Sequence, residues 1–274
     1  MTRPIFLLTD FGTRDSFVGQ MRAVMASVSP GVAIHDLTHE VEPFAIDEGA
    51  WVLEVALRVL PEDAVVCAVV DPGVGTGRRA LCVVRGGRTF IGPDNGLLSA
   101  AFAEATRERA MPGGSVARLE HTDRVIELCS PQYWAQNLSA TFHGRDIFAP
   151  VAAHVAEGID PRLLGTPLSE AVVLPACCGR PAEGAREIHG YVVHIDRFGN
   201  LITTVKAAQL FPEFELRIGG TVVGRHVRTF ANAPADTPFC YRDSSGYVAV
   251  AMNRASAADA LHVRRGEPVA AVPR

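Results

Sequence analysis

The sequence predicts an α/β fold: a three-layer N-terminal domain around a mostly parallel sheet, residues 1–172, then a smaller all-β, barrel-like domain, residues 186–274. Three observations predict it. Residues 64–70 (AVVCAVV) form an unbroken apolar run, the mark of a strand covered on both faces. Strand-like and helix-like segments alternate up to about residue 170, as a layered parallel sheet requires. Beyond residues 174–187 (LPACCGRPAEGARE), a linker-like stretch of Pro, Gly and small residues, only short strand-like runs separated by turns remain.

Taken in order, Ile5 to Thr9 is a strand that breaks at Asp10 into a Gly turn. Apolar positions 17, 21, 24, 25 and 28 have helical spacing and stop at Ser29-Pro30-Gly31. A short strand at 33–35 ends at Asp36, and residues 46–60 carry the apolar stripe of an amphipathic helix before Pro61. The 64–70 strand runs into Asp71 and the turn Pro72-Gly73-Val74-Gly75-Thr76-Gly77. A hairpin follows, 81–84 with 89–91 around Gly86-Gly87, and then helices over 96–105 and 147–155. In the second half, strands are expected at 188–195, 201–205, 214–218, 221–227, 239–242 and 247–252. No internal repeat or low-complexity tract interrupts the pattern.

Composition narrows the function classes. A chain of 274 residues with 48% hydrophobic and 20% charged residues is globular, and a net charge of -4 gives no electrostatic case for nucleic acid or an anionic membrane. No apolar run reaches the roughly 20 residues a membrane helix needs. The N-terminus enters a strand at once, so the expected location is the cytoplasm. Six cysteines form no C-x-x-C pair; Cys67 and Cys82 sit in apolar strands, and vicinal Cys177-Cys178 is a weak metal or redox signal. No metal, disulfide framework or cofactor is expected.

Two predicted strands end in an acid followed by a Gly turn, at Asp10 and at Asp71. In open α/β sheets ligands bind outside the carboxyl ends of strands, so both acids are placed for one shared crevice. The glycines at 73, 75 and 77 lack the G-x-G-x-x-G spacing and precede a strand, not a helix, which argues against a dinucleotide site. Asp10-Phe11-Gly12 spells a kinase triplet without the rest of the kinase set. Taken singly, Asp71 with Arg78 reads equally well as a capped surface turn, His143 as a loop residue, and Asp196 to Asn200 or Ser244 to Tyr247 as β-turns.

Read together, the motifs carry more. Thr9-Asp10-Phe11-Gly12, Val70-Asp71-Pro72-Gly73-Val74-Gly75, Gly92-Pro93-Asp94-Asn95-Gly96, Thr141-Phe142-His143-Gly144-Arg145-Asp146, Asp196-Arg197-Phe198-Gly199-Asn200 and Ser245-Gly246-Tyr247 occur in that order. This series resembles the S-adenosylmethionine hydroxide adenosyltransferase family, relatives of the fluorinating and chlorinating enzymes that use S-adenosylmethionine (SAM), over residues 4–270. The resemblance implies a hydrolase that displaces L-methionine from C5′ of SAM with a water-derived hydroxide, giving adenosine. It implies a catalytic trio of Asp71, Arg78 and His143. Asp10 then matches the ribose contact, Asp15 and Asp196 acidic positions suited to the methionine ammonium, and Phe198 and Asn200 the adenine and amino-acid region. Phe142 and Phe230 would pack on the ligand, and Ser245 and Asn253 would meet the adenine edge and the methionine carboxylate. A homotrimer with interfacial sites is implied as well.

Departures from the halogenating relatives favour water as the nucleophile. Those enzymes carry a non-acid at the Asp71 position, a halide-contacting serine at that of Gly144, a longer loop after that of Val84, and a tryptophan where Ile202 stands. Ser245 replaces an arginine, as is usual for the hydrolases. The alternatives are a halide-using SAM transferase and a non-catalytic SAM- or adenosine-binding module.

Overall fold

The apolar run at residues 64–70 is a central strand because both of its faces are covered. The computed structural model describes residues 2–181 and 186–274, and the chain divides into two compact units, Met1–Ala176 and Cys177–Arg274. Part of the expected linker, residues 182–185, lies outside the described residues.

The first unit runs β1 (Ile5–Thr9), α1 (Phe17–Val28), β2 (Ile34–Thr38), α2 (Ile46–Ala56), β3 (Val65–Val69), β4 (Ala80–Arg85), β5 (Arg88–Pro93), α3 (Glu104–Glu108), β6 (Ser115–Arg118), β7 (Arg124–Leu128), α4 (Ala149–Ala156), β8 (Gly165–Pro167) and β9 (Glu170–Val173). Seven strands make one sheet in the order β2-β1-β3-β5-β4-β7-β8. The first four are mutually parallel, while β4, β7 and β8 each pair antiparallel with the strand before them in the sheet. Side chains alternate across this sheet with the period of a strand. Val65, Cys67 and Val69 join Met21 and Met25 of α1 and the apolar face of α4. Ala64, Val66, Ala68 and Val70 join Leu53 of α2 and Leu97 and Leu98 on the opposite face. Burial makes the thiols in this core inert: it pushes Cys82 up to about 12 and Cys67 higher still.

Several expectations need correction. The helix expected over 96–105 is a 3-10 turn, Leu97–Ala101, followed by the separate α3. Leu97, Leu98, Ala100, Ala101 and Phe102 are all buried, so packing overrides a one-sided helix, and Asp123 takes the Ala103 N–H at 2.7 Å. Helix α2 stops at Ala56 and relaxes into turns before Pro61. Strand β2 extends past Asp36 to Thr38. The strand–helix alternation stops after β3: β4 and β5 form the expected hairpin, β4, β7 and β8 make an antiparallel flank, and β6 pairs with β9 in a separate two-stranded sheet.

The second unit contains β10 (Arg180–Pro181), β11 (Ile188–Ile195), β12 (Leu201–Lys206), β13 (Phe214–Ile218), β14 (Thr221–Val223), β15 (Phe239–Arg242), β16 (Tyr247–Ala251), the five-residue helix α5 (Ala257–Leu261) and β17 (Pro268–Pro273). Its strands pair antiparallel along the path β14-β13-β17-β11-β12-β16-β15, with β10 beside β11. Strand β14 ends at Val223, short of the expected 227, because the chain leaves β13 and exchanges backbone bonds with Cys240 instead.

Candidate active site

Strands β1 and β3 are parallel neighbours with Thr9 opposite Val69, so Asp10 and Asp71 leave adjacent strands at the same edge. From Asp71 the chain turns tightly: the Val74 N–H donates to the Asp71 carbonyl at 3.2 Å, and Thr76 Oγ1 to the Gly73 carbonyl at 2.7 Å. Gly75, at φ +77°, passes so close to Ala140 that a Cβ would sit 2.3 Å from its carbonyl oxygen. This turn returns Arg78 onto Asp71. Arg78 Nε donates to both carboxylate oxygens at 3.0 Å and Nη2 donates to Oδ2, with the side chains only 10% and 5% exposed. The guanidinium lies over the Phe148 ring, 5.1 Å from its centroid.

Arg78 Nη2 also contacts His143 Nδ1 at 3.0 Å. A guanidinium can only donate, so Nδ1 is the acceptor and the neutral ring carries its proton on Nε2. Burial lowers the His143 pKa, and the Arg78 cation lowers it further against the opposing pull of Asp71 and Asp146. His143 is therefore held neutral at neutral pH. It stands at the head of a π-helical turn, Gly144–Phe148, a distortion frequent at functional sites. Buried Asp146 in that turn accepts from the Ser139 N–H at 2.7 Å, which secures the loop ahead of His143.

A cavity opens at this cluster, lined by Phe11, Phe17, Val69, Asp71, Val74, Thr141, Phe142, His143 and Gly144. The three phenylalanines contact one another with centroids 5.8, 5.9 and 5.2 Å apart. Gly144 permits this closeness, since a Cβ there would meet carbons of Phe11 and Phe142 at 3.3 Å. Asp10 accepts the Phe44 N–H at 2.9 Å, and burial raises its pKa, with the nearby Asp71 charge adding to the rise. Phe44 is 71% exposed at φ +70°, unusual for an aromatic residue, and was not among the sequence-selected positions. Phe11 and Phe17 line the cavity as well; the sequence marks Phe17 only as the first position of a helical stripe and Phe11 only as part of the Asp-Gly turn. Asp15 lies in the exposed turn before α1.

The remaining selected positions belong to the second unit, and several have local structural tasks. Asp196 accepts from the N–H groups of Phe198 and Asn200 at 2.9 and 3.0 Å and from Asn200 Nδ2 at 2.8 Å, closing the β11–β12 turn. The Gly199 N–H donates to the Asp196 carbonyl at 2.9 Å, so residues 196–199 form a β-turn. Gly199, at φ +79°, leaves space for Ser256 that any Cβ would fill. Phe198 is 77% exposed at the tip. The Ser245 N–H donates to Asp243 at 2.9 Å in the β15–β16 turn, and Asn253 Nδ2 donates to the Ala233 carbonyl at 3.2 Å. Phe230 packs edge-on against Phe239 and Tyr241. The structure brings Asp71, Arg78, His143 and Phe142 into one cluster, with Asp10 on the neighbouring strand end.

Known proteins are similar to this chain in sequence and architecture. The profile of the SAM hydroxide adenosyltransferase N-terminal domain matches residues 5–165, and that of the C-terminal domain residues 190–270. An (R)-S-adenosyl-L-methionine hydrolase of Thermus thermophilus is 41% identical, with 97% of this chain and 98% of the relative covered. One of Salinispora arenicola is 38% identical over 96% and 95% of the two chains. A fluorinase of Actinoplanes is 26% identical over 96% and 95%. A crystal structure of a conserved protein from Thermotoga maritima superposes with a TM-score of 0.82 at 30% identity, covering 98% of this chain and 99% of that one. This chain belongs to the SAM hydroxide adenosyltransferase family.

Proposed function

We propose that this protein hydrolyses S-adenosyl-L-methionine at C5′, giving adenosine and L-methionine. The observation that carries the reading is the Asp71–Arg78–His143 cluster at a strand end beside an aromatic-lined cavity. The chemistry needs little else. Methionine leaves as a neutral thioether from a sulfonium, so no acid is required at sulfur. The site must place a partly desolvated water in line with the C5′–S bond and favour its deprotonation. Arg78 supplies a fixed positive charge that stabilises developing hydroxide. Its three hydrogen bonds leave Asp71 Oδ1 with spare acceptor capacity for a water proton. With Nδ1 engaged, His143 offers a donor at Nε2, which orients water rather than removing its proton.

The other roles follow the family pattern. Asp10 binds the ribose hydroxyls, Phe142 and Phe230 pack on the ligand, and Asp15 and Asp196 serve the methionine ammonium. Phe198, Asn200, Ser245 and Asn253 complete the adenine and amino-acid contacts. We further infer a cytoplasmic homotrimer whose sites draw on more than one subunit, and two domains, a three-layer one ending near residue 172 and a barrel-like one from about 186. Native mass spectrometry tests the trimer.

The decisive experiment is incubation with SAM in 18O-labelled water. The proposal expects 18O at the 5′ oxygen of adenosine; unlabelled adenosine, or a 5′-halo-adenosine when chloride is present, overturns it. The relatives are named for the (R) sulfonium, so the two sulfur epimers are assayed separately, with faster cleavage of the (R) form expected.

A further inference from the structure

The Pro93-Asp94-Asn95-Gly96 turn has no part in the chemistry described so far, yet it hydrogen-bonds Val70 and Arg79, the residues next to Asp71 and Arg78. In the sheet, β5 lies between β3 and β4. The catalytic turn from Asp71 to Arg78 therefore crosses over the carboxyl end of β5, where Asp94 and Asn95 sit. Asn95 Nδ2 donates to the carbonyl of Val70, the residue before Asp71, at 2.8 Å, and Asn95 Oδ1 accepts the Leu97 N–H at 3.1 Å. On the other side, the Asp94 carboxylate, 3% exposed, takes Arg79 Nε at 2.8 Å and the Val172 N–H at 2.7 Å. The Asp94 N–H donates to the Arg79 carbonyl at 2.9 Å, the same oxygen that receives Arg78 Nη1 at 3.3 Å.

We propose that Asp94 and Asn95 are positioning residues that brace the two ends of the catalytic turn and so hold Asp71 and Arg78 in their paired geometry. Two adjacent arginines face two acids here, and the pairing is fixed by the side on which each leaves the chain. Successive residues entering a strand point to opposite faces. With Arg79 locked to Asp94, Arg78 is directed at Asp71. Asn95 then sets where β3 releases Asp71. Because β3 and β4 are not hydrogen-bonded to each other, this turn bridges them at the site edge through Val70 and Arg79. The proposal rests on the hydrolase reading above.

Asn95→Asp isolates the tether. The aspartate still accepts the Leu97 N–H but cannot donate to the Val70 carbonyl, whereas Asn95→Ala loses both bonds. The brace predicts that both variants lose kcat for SAM roughly tenfold to a hundredfold, the scale of a small misplacement of reacting groups, with KM and adenosine affinity nearly unchanged. A role confined to the turn predicts that Asn95→Asp restores activity. The second arm is a double-mutant cycle: in an Arg78→Ala background, Asn95→Asp should lower kcat no further. An equal fall in both backgrounds, or an unimpaired Asn95→Asp enzyme, overturns the brace. Should Asn95→Asp not fold, Arg79→Ala and Arg79→Lys replace it at a side chain 26% exposed; loss of kcat with partial rescue by lysine supports the brace, and unchanged kcat in Arg79→Ala overturns it. A wild-type protein that forms no adenosine from SAM overturns the hydrolase reading and this proposal with it. An active wild type with unimpaired variants overturns the brace alone.

Discussion

Replacing Arg78 with alanine tests the centre of the site, and its effects separate into a stability part and a chemical part. The Arg78 and Asp71 side chains are 10% and 5% exposed, so surface screening removes little of their interaction. Breaking a buried pair from one side typically costs about 3–5 kcal/mol, because the remaining charge keeps its desolvation penalty without its partner. For a chain of this size that corresponds to a fall in Tm of roughly 6–20 °C. The chemical part is the loss of one fixed electrostatic stabiliser, a factor of about 10²–10³ in kcat, or about 2.7–4 kcal/mol. SAM binding should change little. Arg78→Lys provides the control: an ammonium restores charge but not the planar fork that spans both Asp71 oxygens and His143, so Tm recovers more than kcat. The assay is adenosine release under single-turnover conditions, with adenosine affinity and Tm measured on the same samples. His143 provides an independent readout by NMR titration. The Arg78 cation depresses its pKa, so in Arg78→Ala that pKa must rise. A folded Arg78→Ala enzyme with kcat within about threefold of wild type, or a His143 pKa that does not rise, would refute the reasoning.

Asp10→Asn should raise the dissociation constants of both SAM and adenosine by roughly tenfold or more, as loss of charge-assisted bonds worth about 1.5–3 kcal/mol implies; unchanged adenosine affinity by calorimetry would remove Asp10 from the ribose site. Gly75→Ala should destabilise by more than about 2 kcal/mol, from the left-handed backbone plus the clash with the Ala140 carbonyl, and a melting temperature equal to wild type would contradict the tight turn. Single, double and triple alanine variants of Asp71, Arg78 and His143 should be strongly non-additive in kcat; additive losses would show that the three do not act as a unit. The His143 pKa is lower in the folded chain than its ordinary 6.5, so below that pH the unfolded chain binds the extra proton more readily. Its contribution to stability is complete above pH 6.5 and is lost as pH falls through the folded value. Denaturant titrations of wild type and His143→Gln should therefore converge towards acid pH.

Much of this protein is written locally. The apolar run at 64–70, the helical spacing at 17–28 and the hairpin around Gly86-Gly87 depend on neighbours within a few residues, and each forms where its pattern indicates. The acids at strand ends were legible for the same reason, since a strand that stops at an Asp-Gly turn announces its own edge. What the sequence leaves open depends on pairing between distant segments. Nothing local states that β5 inserts between β3 and β4, that β7 adds antiparallel to β4, or that residues 97–102 give up a helix to bury all their apolar side chains. The site divides along the same line. Asp71 and Arg78 are seven residues apart and joined by one turn, so their pairing follows from the chain itself. His143 reaches Arg78 across 65 residues, and Phe44 reaches Asp10 across 34. Those contacts, together with the direction of the Arg78–His143 hydrogen bond that assigns the imidazole proton, exist only once the sheet has assembled, because only then do strand ends separated in sequence share one edge.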